Sequence, residues 1–219
     1  MNRLVIMILT MVLCAGTSAL ATPSIEFSPD AGTAGSWTYD GAGTLSFNQF
    51  IAVDAGMSSN ADALVGALVY VPTLTVSGIP EGPYTLTPLG SSVLTVRSPV
   101  DGTLYLKATL NQGDLVPVGT IGAAYTNFTS DLTDVTVTNA GKALGSAALS
   151  AIVNSGTSTL DFELSLVGGS GTKFRSLTQM LAGGFVGGNG FSGAMSIPEP
   201  ATLALLSLGS LALWRKRKP

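Results

Sequence analysis

Between Thr159 and Val167 the chain alternates apolar and polar residues without a slip. Leu160, Phe162, Leu164 and Leu166 form one stripe, and Asp161, Glu163 and Ser165 form the other. A period of two sends successive side chains to opposite faces of a strand, so this stretch needs a core on one side and water on the other. The signature returns at Thr103–Leu110, where Leu104, Leu106, Ala108 and Leu110 oppose Thr103, Tyr105, Lys107 and Thr109. Val93–Arg97 precedes it across Ser98-Pro99-Val100-Asp101-Gly102, which predicts a hairpin. Leu132–Thr138 repeats the pattern with Leu132 out of step from Val135 and Val137, which predicts a bulge at Thr133-Asp134.

Shorter strand-like runs fill the rest. Ser36–Tyr39 ends at the turn dipeptide Asp40-Gly41, Thr44–Phe47 alternates again, and Tyr84–Thr87 follows the turn Pro80-Glu81-Gly82-Pro83. Ala67–Val76 is a β-branched run that Pro72 confines to an edge or bulge, and Asp54-Ala55-Gly56 through Asn60 reads as a loop. Ala140–Val153 suits either a helix or a strand, and Ser176–Leu181 is a second place for a short helix. No long helices alternate with the strands, which excludes a parallel α/β fold. The expected fold is all-β: an antiparallel, jelly-roll-like β-sandwich with room for one short helix, spanning residues 22–182.

Composition narrows the chemistry. The 46% of hydrophobic residues can offset chain entropy despite 27 glycines and 11 prolines. Histidine is absent and the only cysteine is Cys14. That removes Ser-His-Asp and Cys-His catalysis, zinc sites built on these ligands, and thiol redox chemistry. Residues 22–200 keep five of the ten basic residues against all thirteen carboxylates, a formal charge of −8. A body of that sign repels nucleic-acid phosphates, so no nucleic-acid partner is expected.

The two ends differ from the body. Asn2-Arg3, the apolar Leu4–Ala15 and the small-x-small Ala19-Leu20-Ala21 form a signal peptide over 1–21. Signal peptidase would cut between Ala21 and Thr22. At the other end, a glycine-rich stretch that can be a last strand or a slack spacer is assigned as a spacer over 183–196. Pro198-Glu199-Pro200 then precedes the apolar run Ala201–Trp214 and the basic Arg215-Lys216-Arg217-Lys218. The prolines fix φ and end any preceding structure. Fourteen apolar residues span about 21 Å as a helix, short of a hydrocarbon core of about 30 Å. The basic cluster places that end in the cytoplasm.

Several constellations in the body invite chemistry. Asp161 and Glu163 stand about 7 Å apart on one strand face, a spacing met in inverting glycosidases, but they read as the wet face of an amphipathic strand. A hydrolase would need at least a cleft with two carboxyls, one with a raised pKa. Asp131 with Asp134 is a sparse candidate for calcium. Trp37, Tyr39, Tyr70, Tyr84, Tyr105 and Tyr125 would make a sugar-stacking platform if several shared an open face. Asn127-Phe128-Thr129 is a glycosylation sequon. Gly188-Asn189-Gly190-Phe191-Ser192-Gly193 has dinucleotide-binding spacing but no helix to follow it, so it is a chance match. No catalytic residue, cofactor or metal is assigned.

The tail resembles the PEP-CTERM sorting signal: Pro198-Glu199-Pro200, then Ala201-Thr202-Leu203-Ala204-Leu205-Leu206, a glycine within the apolar run at Gly209 and the terminal Arg/Lys cluster. The resemblance implies a bacterial substrate of an exosortase, a membrane-embedded, cysteine-dependent enzyme that recognises the tail and cleaves near the tripeptide. Pro198, Glu199 and Pro200 would then be recognition residues, Ala201–Trp214 a transient membrane anchor and Arg215, Lys216, Arg217 and Lys218 the stop. The product would reach the cell surface or an exopolysaccharide matrix. The resemblance implies nothing about residues 22–196. The expected function is that of a non-enzymatic surface or matrix protein, with a polysaccharide- or calcium-binding module as the alternative.

Overall fold

The computed structural model describes residues 24–29, 37–47, 51–57, 59–78, 84–117, 125–167, 169–170, 173–174 and 190–198. The strands, in chain order, are β1 (Ser24–Pro29), β2 (Trp37–Tyr39), β3 (Thr44–Phe47), β4 (Ile51–Gly56), β5 (Leu68–Tyr70), β6 (Leu74–Gly78), β7 (Tyr84–Pro88) and β8 (Val93–Arg97). They continue as β9 (Leu104–Leu110), β10 (Gly113–Pro117), β11 (Tyr125–Val137), β12 (Leu160–Val167), β13 (Gly169–Ser170), β14 (Lys173–Phe174) and β15 (Phe191–Ser196). Two helices, α1 (Asn139–Ala143) and α2 (Ala147–Ser155), lie between β11 and β12.

The chain is all-β and antiparallel, as expected, but the pairing is not that of two separate sandwich sheets. Eight strands close a ring in the order β12-β15-β1-β4-β5-β8-β9-β11, because β11 also pairs with β12. A branch, β10-β7-β6-β3-β2, leaves the ring at β11. The cause is the length of β11, 13 residues. One of its edges pairs with β12 from Tyr125 to Leu132. Its other edge takes β10 at Thr126–Thr129 and β9 at Leu132–Val137. The expected bulge separates these two partners: register shifts between Thr133 and Thr136, and Asp134 adopts φ 53°. An extra residue bends a strand and sharpens its twist, which turns the end of β11 from branch to ring.

The stripes read from sequence line the interior. Phe128, Phe162 and Phe27 follow one another at 6.1 Å between centroids, and Phe191 joins Phe27 at 6.5 Å and the branch's Phe47 at 5.7 Å. Aromatic pairs at such spacings add about 0.5–1.5 kcal/mol each beyond area burial. Gly193 on β15 makes the series possible, since a Cβ there would lie 2.4 Å from Phe27. On the branch, Trp37 is fully buried and its Nε1 donates to the Gly190 carbonyl at 3.2 Å, tying β2 to the start of β15.

The 140–153 region, which suited either helix or strand, is helical: α1 starts just before it and α2 runs just past it. Thr138 caps α1 by accepting from the Gly141 amide, and Ser146 caps α2 by accepting from the Leu149 amide. Gly156, at φ 65°, ends α2 in the left-handed region that favours glycine. Ala148, Leu149 and Ile152 bury the inner face of α2 in the core. Asp62, from the β4–β5 connection, accepts from the Ala148 amide at 3.0 Å and the Leu64 amide at 2.8 Å.

Three sequence readings need correction. Ala67–Val76, read as one run that Pro72 keeps to an edge or bulge, is two strands, β5 inside the ring and β6 on the branch, with Pro72 in the connection between them. Asp54-Ala55-Gly56, read as loop, is the end of β4, since Val53 and Ala55 continue a buried alternation past the turn-like residues. Residues 191–196, assigned to the spacer, form β15 between β12 and β1, with Phe191 and Met195 buried. Residues 183–189, the second helix candidate at 176–181, the signal peptide, the cleavage residues Ala19, Ala21 and Thr22, and the tail from Glu199 onward lie outside the described residues. Among the described residues no helix is long and apolar enough to cross a membrane, which says nothing of a crossing by strands.

Candidate functional site

On β1, β15, β12, β11 and β10 the inward stripe leaves small and polar residues outside, and the register aligns these into rows. One row runs Glu26, Ala194, Glu163, Thr129 and Asp114 across β1, β15, β12, β11 and β10. The next runs Ser24, Ser196, Asp161 and Asp131, and a third runs Ser192, Ser165 and Asn127. Strand β15 gives this wall only Ser192, Ala194 and Ser196, small side chains that leave a trough between taller neighbours. The trough opens into a groove of about 620 Å³ lined by Asp114, Thr129, Asp131, Asp161, Glu163 and Ser196. A second hollow of about 320 Å³ lies between Glu26, Asp54, Glu163 and Ser165.

Hydrogen bonds order part of this wall. Ser165 Oγ donates to Asn127 Oδ1 at 2.7 Å, and Asn127 Nδ2 donates to Glu163 Oε1 at 2.8 Å. Asp161 faces Asp131 directly across the β11–β12 ladder. Partial burial, and then the Asp131 charge, hold the Asp161 carboxyl above the ordinary range. Like charges directly opposite destabilise a strand pair. The described basic residues of the ring lie elsewhere: Lys107 pairs with Thr95 on the β8–β9 side, and Arg97 donates to Thr95 Oγ1 and the Gly102 carbonyl.

The structure therefore brings Asp161 and Glu163 together and adds Asp131, Asp114, Glu26 and Asp54, which sequence spacing could not place. The groove meets the minimum stated for a hydrolase, two carboxyls and one raised pKa. Its geometry argues the other way. Glycoside hydrolysis needs carboxyls flanking the scissile bond, whereas these carboxylates all project from one open sheet face. Asp131 and Asp134 are not brought together, because Asp131 faces Asp161 while Asp134 Oδ2 accepts from Thr109 on the opposite neighbour. No group of three or more carboxylates among the described residues is arranged to hold a metal ion.

The aromatic platform does not assemble either. Trp37, Tyr39 and Tyr84 are core residues, and Tyr70 and Tyr105 are half-buried on β5 and β9 with β8 between them. The Tyr125 side chain lies outside the described residues. Asn127 of the sequon is held in a paired strand by Ser165 and Glu163. In the dinucleotide-like hexapeptide, Phe191-Ser192-Gly193 is strand, with no helix N-terminus to receive a pyrophosphate.

No curated protein and no solved structure matches the chain. Residues 196–218 match the family model described as the PEP-CTERM protein-sorting motif. The chain thus carries a PEP-CTERM protein-sorting motif that begins at Ser196, the last residue of β15.

Proposed function

We propose that the chain is an exported, non-enzymatic protein of the cell surface or extracellular matrix, delivered by its PEP-CTERM tail. The observation that carries this reading is the sorting motif at residues 196–218. Signal peptidase removes residues 1–21, Ala201–Trp214 anchors the precursor in the inner membrane, and an exosortase recognises Pro198, Glu199 and Pro200 and releases the body. The body supports the reading because it has no histidine and, with the chain's only cysteine at position 14 in the removed segment, no cysteine, which leaves it no Ser–His or Cys–His pair. Mass spectrometry of the surface-located protein from its native host should show a product lacking Arg215–Lys218. A surface species that keeps those residues overturns the processing.

A second reading, a polysaccharide-binding wall, is favoured by one observation. The trough along β15 presents hydroxyls, Asn127 and carboxylates in register on an open face. Calorimetric titration with the host's own exopolysaccharide tests it. Binding that Glu163→Gln weakens supports it, and no heat of binding overturns it.

A further inference from the structure

Strand β15 runs into the sorting motif without a linker. Ile197 packs against the core and Pro198 is half-buried, so the chain stays on the body through Pro198. Only Glu199 and Pro200 separate that point from the apolar run that starts at Ala201. The three residue steps from Pro198 to Ala201 span at most about 11 Å when fully extended.

The chain's entry into the body lies at the same place. Ser24, the first residue of β1, pairs directly with Ser196. Met57, 39% exposed, marks this end of the ring, since its amide donates to the Ser24 carbonyl at 2.6 Å. The opposite end follows from the strand directions. β4 runs toward Met57, β5 runs back antiparallel to it, and Leu89 donates its amide to Thr73, just beyond β5. Leu89 is 53% exposed.

We infer that the anchored precursor stands upright, with the Ser24–Ser196 end of its ring against the phospholipid surface. The inference rests on the tail inserting as proposed above. The short tether leaves the body no room to turn over. Anionic headgroups repel the wall bearing Glu26, Asp161 and Glu163, which keeps the body from lying on that side. Pro198, where the described chain leaves the body, then faces the membrane surface.

Energy transfer to labelled lipid headgroups tests this. The precursor from Thr22 to Pro219, which has no cysteine of its own, with either Met57→Cys or Leu89→Cys carrying the donor, is reconstituted in phosphatidylethanolamine–phosphatidylglycerol vesicles. The six residues of β4 separate the two levels by about 20 Å, so transfer from position 57 should exceed that from position 89 by about twofold. Equal transfer, or more from position 89, overturns the orientation. Inserting about twenty Gly and Ser residues between Ile197 and Pro198 should bring the two values together, because such a linker behaves as a random coil. A difference that survives the insertion overturns the short tether as its cause. Flotation separates the two levels: a chain that fails to float with the vesicles overturns the anchored state and this inference together, whereas a chain that floats without an orientation overturns the inference alone.

Discussion

Ring and branch share one core, yet they are held in different ways. Every ring strand has a neighbour on both sides, so both of its edges take part in ladders. Among the described residues the branch ends at β2, three residues long and paired only with β3. A short terminal strand is one way to blunt a sheet edge, but it leaves the branch dependent on side-chain anchors. Closure leaves no ring strand with an unpaired edge. The branch is fastened at its far end by Trp37 on the Gly190 carbonyl and Phe47 against Phe191.

The largest effects should expose this contrast. Phe162→Ala removes the ring that touches both Phe27 and Phe128, and should cost about 3–5 kcal/mol in urea unfolding. Trp37→Ala deletes an equally buried side chain but should act first on the branch. Hydrogen exchange should speed up in β2 and β3 while amides of β12 stay protected. Equal acceleration in both regions would show that ring and branch open together.

Next comes Gly193→Ala, which keeps the ladder but pushes a methyl group into Phe27 and Leu164. A loss of about 1–3 kcal/mol is expected, and no loss would mean that the phenylalanine series yields easily.

Asp62→Ala should cost about 1–2 kcal/mol as a lost helix cap. Burial raises the Asp62 carboxyl's pKa, but hydrogen bonds from Ser146, Leu64, Ala148 and Ala147 outweigh it and lower the folded value. The charged form's contribution is therefore present above the unfolded carboxylate range and lost as pH falls through the lowered folded value. The gap between wild type and variant should shrink below about pH 4.

The smallest effect has the opposite sign. Asp161→Asn relieves the pair with Asp131 and should stabilise by about 0.2–1 kcal/mol at low salt. Because the folded value is raised, the wild type's deficit should fade as pH falls through it. A destabilised variant would mean that Asp161 has a partner beyond the described residues.

Strands with unbroken alternation were legible from sequence. β9 and β12 lie where their stripes predict, and the phase slip before Val135 marked the bulge that redirects β11. Ring closure was not legible, because it depends on which distant strands share the edges of β11. β15 was hidden for a more local reason. Its inward positions read Phe191, Gly193 and Met195, and Phe27 from the neighbouring strand fills the place where a third apolar side chain would have completed the stripe. The acidic wall shows the same division. Asp161 and Glu163 were readable as one wet face, while Asp131 beside them and Glu26 beyond Ala194 required the register.

The position of β15 also has a mechanical consequence. A pull on the tail loads this strand along its own length. It then meets six paired positions on β12 and four on β1 at the same time. Ladders loaded in this direction must shear together; they do not unzip one rung at a time. The body is thus tied to its tail through a strand gripped on both edges, and machinery that hauled on the tail would move the whole ring before it drew out a single strand.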